Sequence, residues 1–75
     1  MKAWTVYYRV NGIGKRRSHG CDSRQEAIEF IAFIKKAGNS FSGLKLNGKD
    51  ASPKLTLQLG GESDRILKAN KDTPN

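Results

Sequence analysis

Seventy-five residues leave room for one domain, and a domain of that size buries only about 60% of its unfolded surface. A chain that is 36% hydrophobic and 28% charged is a small folded domain with polar loops, which excludes a wholly disordered segment. A net charge of +7 points to nucleic acid, an anionic surface or an acidic protein as partner, and the lone Cys21 excludes both an internal disulfide and a paired-thiolate zinc site.

The charge excess is uneven. Residues 1–22 carry +4, from Lys2, Arg9, Lys15, Arg16 and Arg17 against Asp22. Lys45, Lys49 and Lys54 make a second patch, and residues 55–75 are balanced. A simple solubility charge would have the same total, so the distribution is what suggests a surface. No secretory segment follows Met1 and no apolar run is long enough to span a bilayer, so the expected setting is cytoplasmic, with no membrane partner. In that reducing setting Cys21 is expected to pack as a small apolar side chain.

Residues 3–10 read as a strand, rich in aromatic and β-branched types. Alternation puts Trp4, Val6, Tyr8 and Val10 on a core-facing side, and Thr5, Tyr7 and Arg9 on the other. Asn11-Gly12-Ile13-Gly14 is a turn signal, since Asn-Gly tolerates positive φ. Residues 15–21 then form a second, antiparallel strand with almost nothing apolar in it. Which of its side chains join Tyr7 and Arg9 depends on the loop. A loop of even length brings Arg16 and Ser18 to their face, and an odd one brings Lys15, Arg17 and His19. The odd register is preferred because it leaves only Arg16 towards the core, and burying unpaired charges costs several kcal/mol.

Ser23 followed by Glu26 is a capping box opening a helix. Ala27, Phe30, Ile31 and Ile34 fall at i, i+3, i+4, i+7 and form its core stripe, widened by Ile28 and Phe33. Lys35 and Lys36 suit the negative end of the helix dipole, and Gly38 suits the position just past it. Leu44 and Leu46 alternate around Lys45 before a second Asn-Gly, and Leu55, Leu57 and Leu59 alternate with Thr56 and Gln58, so each set reads as a short strand. Gly60-Gly61 ends the second, and residues 62–69 form a short C-terminal helix. The expected fold is α+β: a small antiparallel β-sheet packed on one amphipathic helix, in the order β-β-α-β-β. It is expected to form a single domain over residues 1–69 with a disordered tail at 70–75.

No enzyme chemistry is visible. His19 is the sole histidine, and no nucleophile or carboxylate cluster pairs with it by spacing. Gly12-Ile13-Gly14 does not continue into a phosphate-binding glycine pattern, because Arg17 stands where the third glycine belongs. No metal or cofactor is expected. What remains is the basic hairpin. A two-stranded ribbon or small sheet can enter the DNA major groove, where arginine suits guanine and lysine or tyrosine suits phosphate.

The run Trp4-Thr5-Val6-Tyr7-Tyr8-Arg9, Gly12, Lys15-Arg16-Arg17, Gly20, Ser23, Glu26-Ala27, Phe30 resembles the N-terminal arm-type DNA-binding domain of phage and transposon tyrosine integrases. The resemblance covers residues 3 to about 36. It implies a three-stranded antiparallel sheet that packs on a helix and docks in the major groove. It marks Tyr7, Arg9, Lys15 and Arg17 as groove-facing, and Trp4, Ala27 and Phe30 as core. Cys21 departs from the bulky apolar residue usual there, only two strands precede the helix, and no recombinase region follows.

The first functional expectation is therefore a non-enzymatic double-stranded DNA-binding module of a phage or mobile element. Its contacts are Thr5, Tyr7, Arg9, Lys15, Arg17 and His19. RNA fits the same residues, with Tyr7 as a stacking platform. The second expectation is a protein-interaction module that docks on an acidic host protein, or on its own copy as a homodimer. It would act through the edge around Leu44–Leu59 and whatever of Ile28 and Phe33 is left uncovered.

Overall fold

The computed structural model describes residues 3–72. Strand β1 (Trp4–Arg9) leads through a 3-10 turn (Val10–Gly12) to β2 (Arg16–Cys21). Helix α1 (Arg24–Lys36), β3 (Ser40–Leu46), the two-residue β4 (Lys49–Asp50) and helix α2 (Pro53–Asp72) follow. The four strands form one antiparallel sheet in the order β2-β1-β3-β4, so the fold is α+β.

Register assigns every side chain to a face. On one face lie the rows Cys21–Trp4–Leu46, His19–Val6–Leu44 and Arg17–Tyr8–Phe41. Val6, Cys21 and Leu44 are buried there under Ala27, Ile28, Ile31 and Ile34 of α1 and Leu59 of α2. Trp4, Tyr8, Phe30, Phe41, Leu55 and Ile66 pack around this core. Fully burying residues such as Val6, Ile31, Ile34 and Leu59 contributes about 1.5–3 kcal/mol each. Both helices belong to this side, so the sheet is covered on one face only.

The ends of α1 follow from its sequence. Ser23 caps it, its Oγ accepting from the Glu26 N–H at 3.2 Å. Glu26 reaches back to accept from the Asp22 N–H at 2.8 Å. At the other end the Asn39 N–H donates to the Ile34 carbonyl and the Gly38 N–H to that of Lys35, with Gly38 at φ 87°. That pair of bonds is a Schellman closure, which requires a left-handed residue.

Three expectations change. First, residues 55–59 are not a strand: they open α2, which continues through Gly60-Gly61. Ser52 caps it by accepting from the Leu55 N–H at 3.1 Å, and Pro53 occupies the first helical position. The inward set is buried Leu59 and Ser63 with half-buried Leu55 and Ile66, a helical stripe, while Leu57 is 76% exposed. The strand after β3 is instead β4, joined by Asn47-Gly48 with both residues at positive φ. Second, α2 runs to Asp72, into the segment expected as a tail, and residues 73–75 lie outside the described ones. Third, the hairpin register is the even one: Arg9 pairs with Arg16 and Tyr7 with Ser18. Its connection is the six residues Val10–Lys15, not a two-residue Asn-Gly turn. Cys21 explains the choice. It is the one apolar side chain of β2 and goes into the core, which sends Arg17 and His19 to the same side.

The two helices are joined by polar contacts. The Lys35 ammonium donates to the Gly60 carbonyl at 3.1 Å, the Ser63 hydroxyl at 3.1 Å and Asp64 at 2.9 Å. Buried Ser63 in turn donates to the Gly60 carbonyl at 2.7 Å. Arg24 binds Glu62 through both guanidinium nitrogens at 3.3 and 2.5 Å. Two basic residues and two carboxylates are thereby engaged on the helix layer.

Candidate functional site

The face of the sheet turned away from the helices carries the rows Gly20–Thr5–Lys45–Asp50, Ser18–Tyr7–Gly43 and Arg16–Arg9–Ser40, so the carboxylate of β4 stands in register with Lys45. Tyr7 stands at its centre. The Arg16 guanidinium lies over the Tyr7 ring, 4.4 Å from the centroid, and the Lys45 ammonium is 5.7 Å from it. These are the two diagonal neighbours of Tyr7, one on each flanking strand, so one aromatic ring orients a cation on either side. Each such contact contributes about 0.5–1 kcal/mol at an exposed site.

Arg9 and Arg16 are directly opposite one another. Like charges at facing positions of an antiparallel pair destabilise it. Among the described residues no carboxylate comes within ion-pair distance of Arg9, Lys15, Arg16 or Lys45. Lys15 precedes β2 in the exposed connection, adding to the same end of the sheet. Four cations, Arg9, Lys15, Arg16 and Lys45, thus share a side of the sheet that contributes no core packing, whereas Arg24 and Lys35 on the helix layer have carboxylate partners; Arg17, Lys36, Lys49, Lys54, Arg65 and Lys68 have none among the described residues and lie elsewhere on the surface.

Of the six residues expected to form the site, Thr5, Tyr7 and Arg9 share this open face, and Lys15 sits at its rim. Arg17 and His19 do not. They point to the helix side, where the His19 ring stacks on Phe30 with centroids 4.0 Å apart and planes 16° apart. Phe30 also meets Tyr8 edge-on at 5.5 Å. The expected cost of burying inward charges does not arise, because Arg17 and His19 remain exposed at the margin of the helix layer. Sequence reasoning missed Lys45 entirely as a site residue and gave Arg16 to the wrong side. Alternation of Lys45 with buried Leu44 was the available signal for the first, and the inward pull of Cys21 for the second.

The surface expected for protein docking is smaller than anticipated. Ile28, Leu44 and Leu59 are buried, and of that set Phe33 and Leu57 stay exposed. Two shallow grooves of about 380 and 610 Å³ flank Leu57 and Gly61 on α2, one bordered by Arg24 and Glu62, the other by Lys35 and Phe41. Among the described residues no group of three histidine, cysteine or carboxylate side chains could hold a metal ion, and no helix is long and apolar enough to cross a membrane.

No family model matches the chain, and no curated protein and no solved structure matches it.

Proposed function

We propose that this protein is a non-enzymatic double-stranded DNA-binding module that lays the open face of its sheet into the major groove. The observation that carries the reading is the set of unpaired cations around Tyr7: Arg9 facing Arg16 across the strands, with Lys45 on the other side of the ring. A major groove about 12 Å wide admits strands lying flat, and strands are about 4.8 Å apart. Arg9, Lys15, Arg16 and Lys45 suit phosphates, as do the hydroxyls of Thr5 and Ser18. The resemblance of residues 3–36 to integrase arm-type domains points the same way and suits a phage or mobile element. In this chain the third strand of the sheet, β3, comes after the helix. Four phosphate contacts from Arg9, Lys15, Arg16 and Lys45 predict a log–log salt slope of about −3 to −4.

The test is a titration of labelled duplex DNA, duplex RNA and single strands at about 50 and about 200 mM salt. Duplex DNA is expected to bind tightest, with affinity falling about a hundredfold between the two salts. No binding of duplex DNA at low salt sinks the reading, and tighter binding of RNA redirects it. The exposed Phe33 and Leu57 favour one competitor, a module that docks on another protein. Loss of partner capture in Leu57→Ala, with the arginines dispensable, would establish that competitor instead.

A further inference from the structure

Gly43 sits in the middle of the open face, directly opposite Tyr7. A glycine inside a strand weakens it, and there are three physical reasons to keep one: a positive φ, a collision awaiting any Cβ, or close approach by something else. The first does not apply. Among the described residues positive φ falls at Gly38 and Gly48 and not at Gly43, so the irregularity between Tyr7 and Tyr8 is not the kind of bulge that demands a left-handed glycine at 43. The second does not apply either, because a Cβ at Gly43 would meet no heavy atom within 4 Å. Gly14 makes the contrast: a Cβ there would lie 3.2 Å from the Val10 carbonyl oxygen, so its own turn explains it.

The third reason remains, and the surroundings say what approaches. Gly43 is the register partner of Tyr7, with Lys45 two residues along the same strand and Arg16 on the far strand, both cations lying against the Tyr7 ring. We propose that Gly43 is the slot where a DNA duplex comes closest to the sheet, base edges passing over its bare backbone while Arg16 and Lys45 flank them. This rests on the duplex-binding reading and adds the contact point to it. The side chain that glycine omits is, on this account, one that would hold the groove off Tyr7.

Gly61 serves as an internal control. It too has nothing within 4 Å of a Cβ position, but it lies on α2, in the helix layer. The experiment compares the full chain with its Gly43→Val, Gly43→Ala and Gly61→Ala variants, by thermal melting and by titration of a labelled mixed-sequence DNA duplex. Valine fits a strand better than glycine. Gly43→Val is therefore expected to melt at or above wild type yet bind at least about tenfold more weakly, where tenfold is one decade in Kd. Gly43→Ala should fall between, and Gly61→Ala should bind as wild type does. Wild-type affinity in Gly43→Val overturns the slot and leaves the duplex reading standing. Failure of the wild-type chain to bind duplex overturns both. Should Gly43→Val not fold, Gly43→Ala decides: weakened binding supports the slot, and unchanged binding overturns it.

Discussion

Val6 and Tyr7 are neighbours in one strand, and they belong to different regimes. Val6 is fully buried beneath the helices, in a row with His19 and Leu44. Tyr7 stands on the uncovered side between two cations, in a row with Ser18 and Gly43. The helix-side face is built for packing: apolar at its centre, with Arg17 and His19 exposed at its margin and Arg24 and Lys35 of the helix above it held in the Arg24–Glu62 and Lys35–Asp64 pairs. The open face carries two features that cost stability. It sets arginine opposite arginine and places glycine in mid-strand, and each is unfavourable for an isolated sheet. The difference teaches where selection other than folding has acted: unfavourable features that cluster on one surface mark the surface that something else completes.

Substitutions on the two sides should therefore separate stability from binding. The largest effect belongs to the core. Ile31→Ala removes a fully buried side chain from the centre of α1 and should lower unfolding free energy by about 3 kcal/mol in urea titrations, with binding intact in whatever fraction stays folded. Lys35→Met keeps the aliphatic stem but deletes the three hydrogen bonds to Gly60, Ser63 and Asp64. A loss of about 1–3 kcal/mol is expected by the same measurement, again without change in duplex affinity. The smallest change runs the other way. Gly61→Ala places a better helix former at an exposed, unobstructed site and should stabilise by up to about 1 kcal/mol. A binding defect in any of these folded helix-layer variants would break the division between faces.

How far this division could be read from the sequence differs along the chain. The first strand and α1 were legible because independent signals agreed: aromatic alternation over 4–9, the Ser23/Glu26 box, the apolar stripe and Gly38. The second helix was hidden because Leu55, Leu57 and Leu59 imitate a strand and Gly60-Gly61 imitates a stop. Only Ser52-Pro53, a cap followed by proline at the first helical position, gave it away. The two Asn-Gly pairs make a similar lesson. Asn47-Gly48 turns a two-residue hairpin as its propensity dictates, whereas Asn11-Gly12 lies in a longer connection whose length comes from tertiary context. Half of the candidate site followed from the alternation of β1, which put Thr5, Tyr7 and Arg9 together. The other half hung on hairpin register, and a one-residue change there exchanges Arg16 and Ser18 for Arg17 and His19. Lys45 needed β3 to cross back beside β1, a pairing that no local pattern encodes.

The most direct measurement is the salt dependence of duplex binding for wild type and the Arg9→Ala/Arg16→Ala double variant, taken alongside their melting curves. If the open face meets the duplex as proposed, removing these two cations makes the log–log slope shallower by about 2. The melting temperature should change little, because relief of the like-charged cross-strand pair offsets loss of the Arg16–Tyr7 contact. Equal slopes for the two proteins, or no duplex binding by either, would contradict the assignment of the open face.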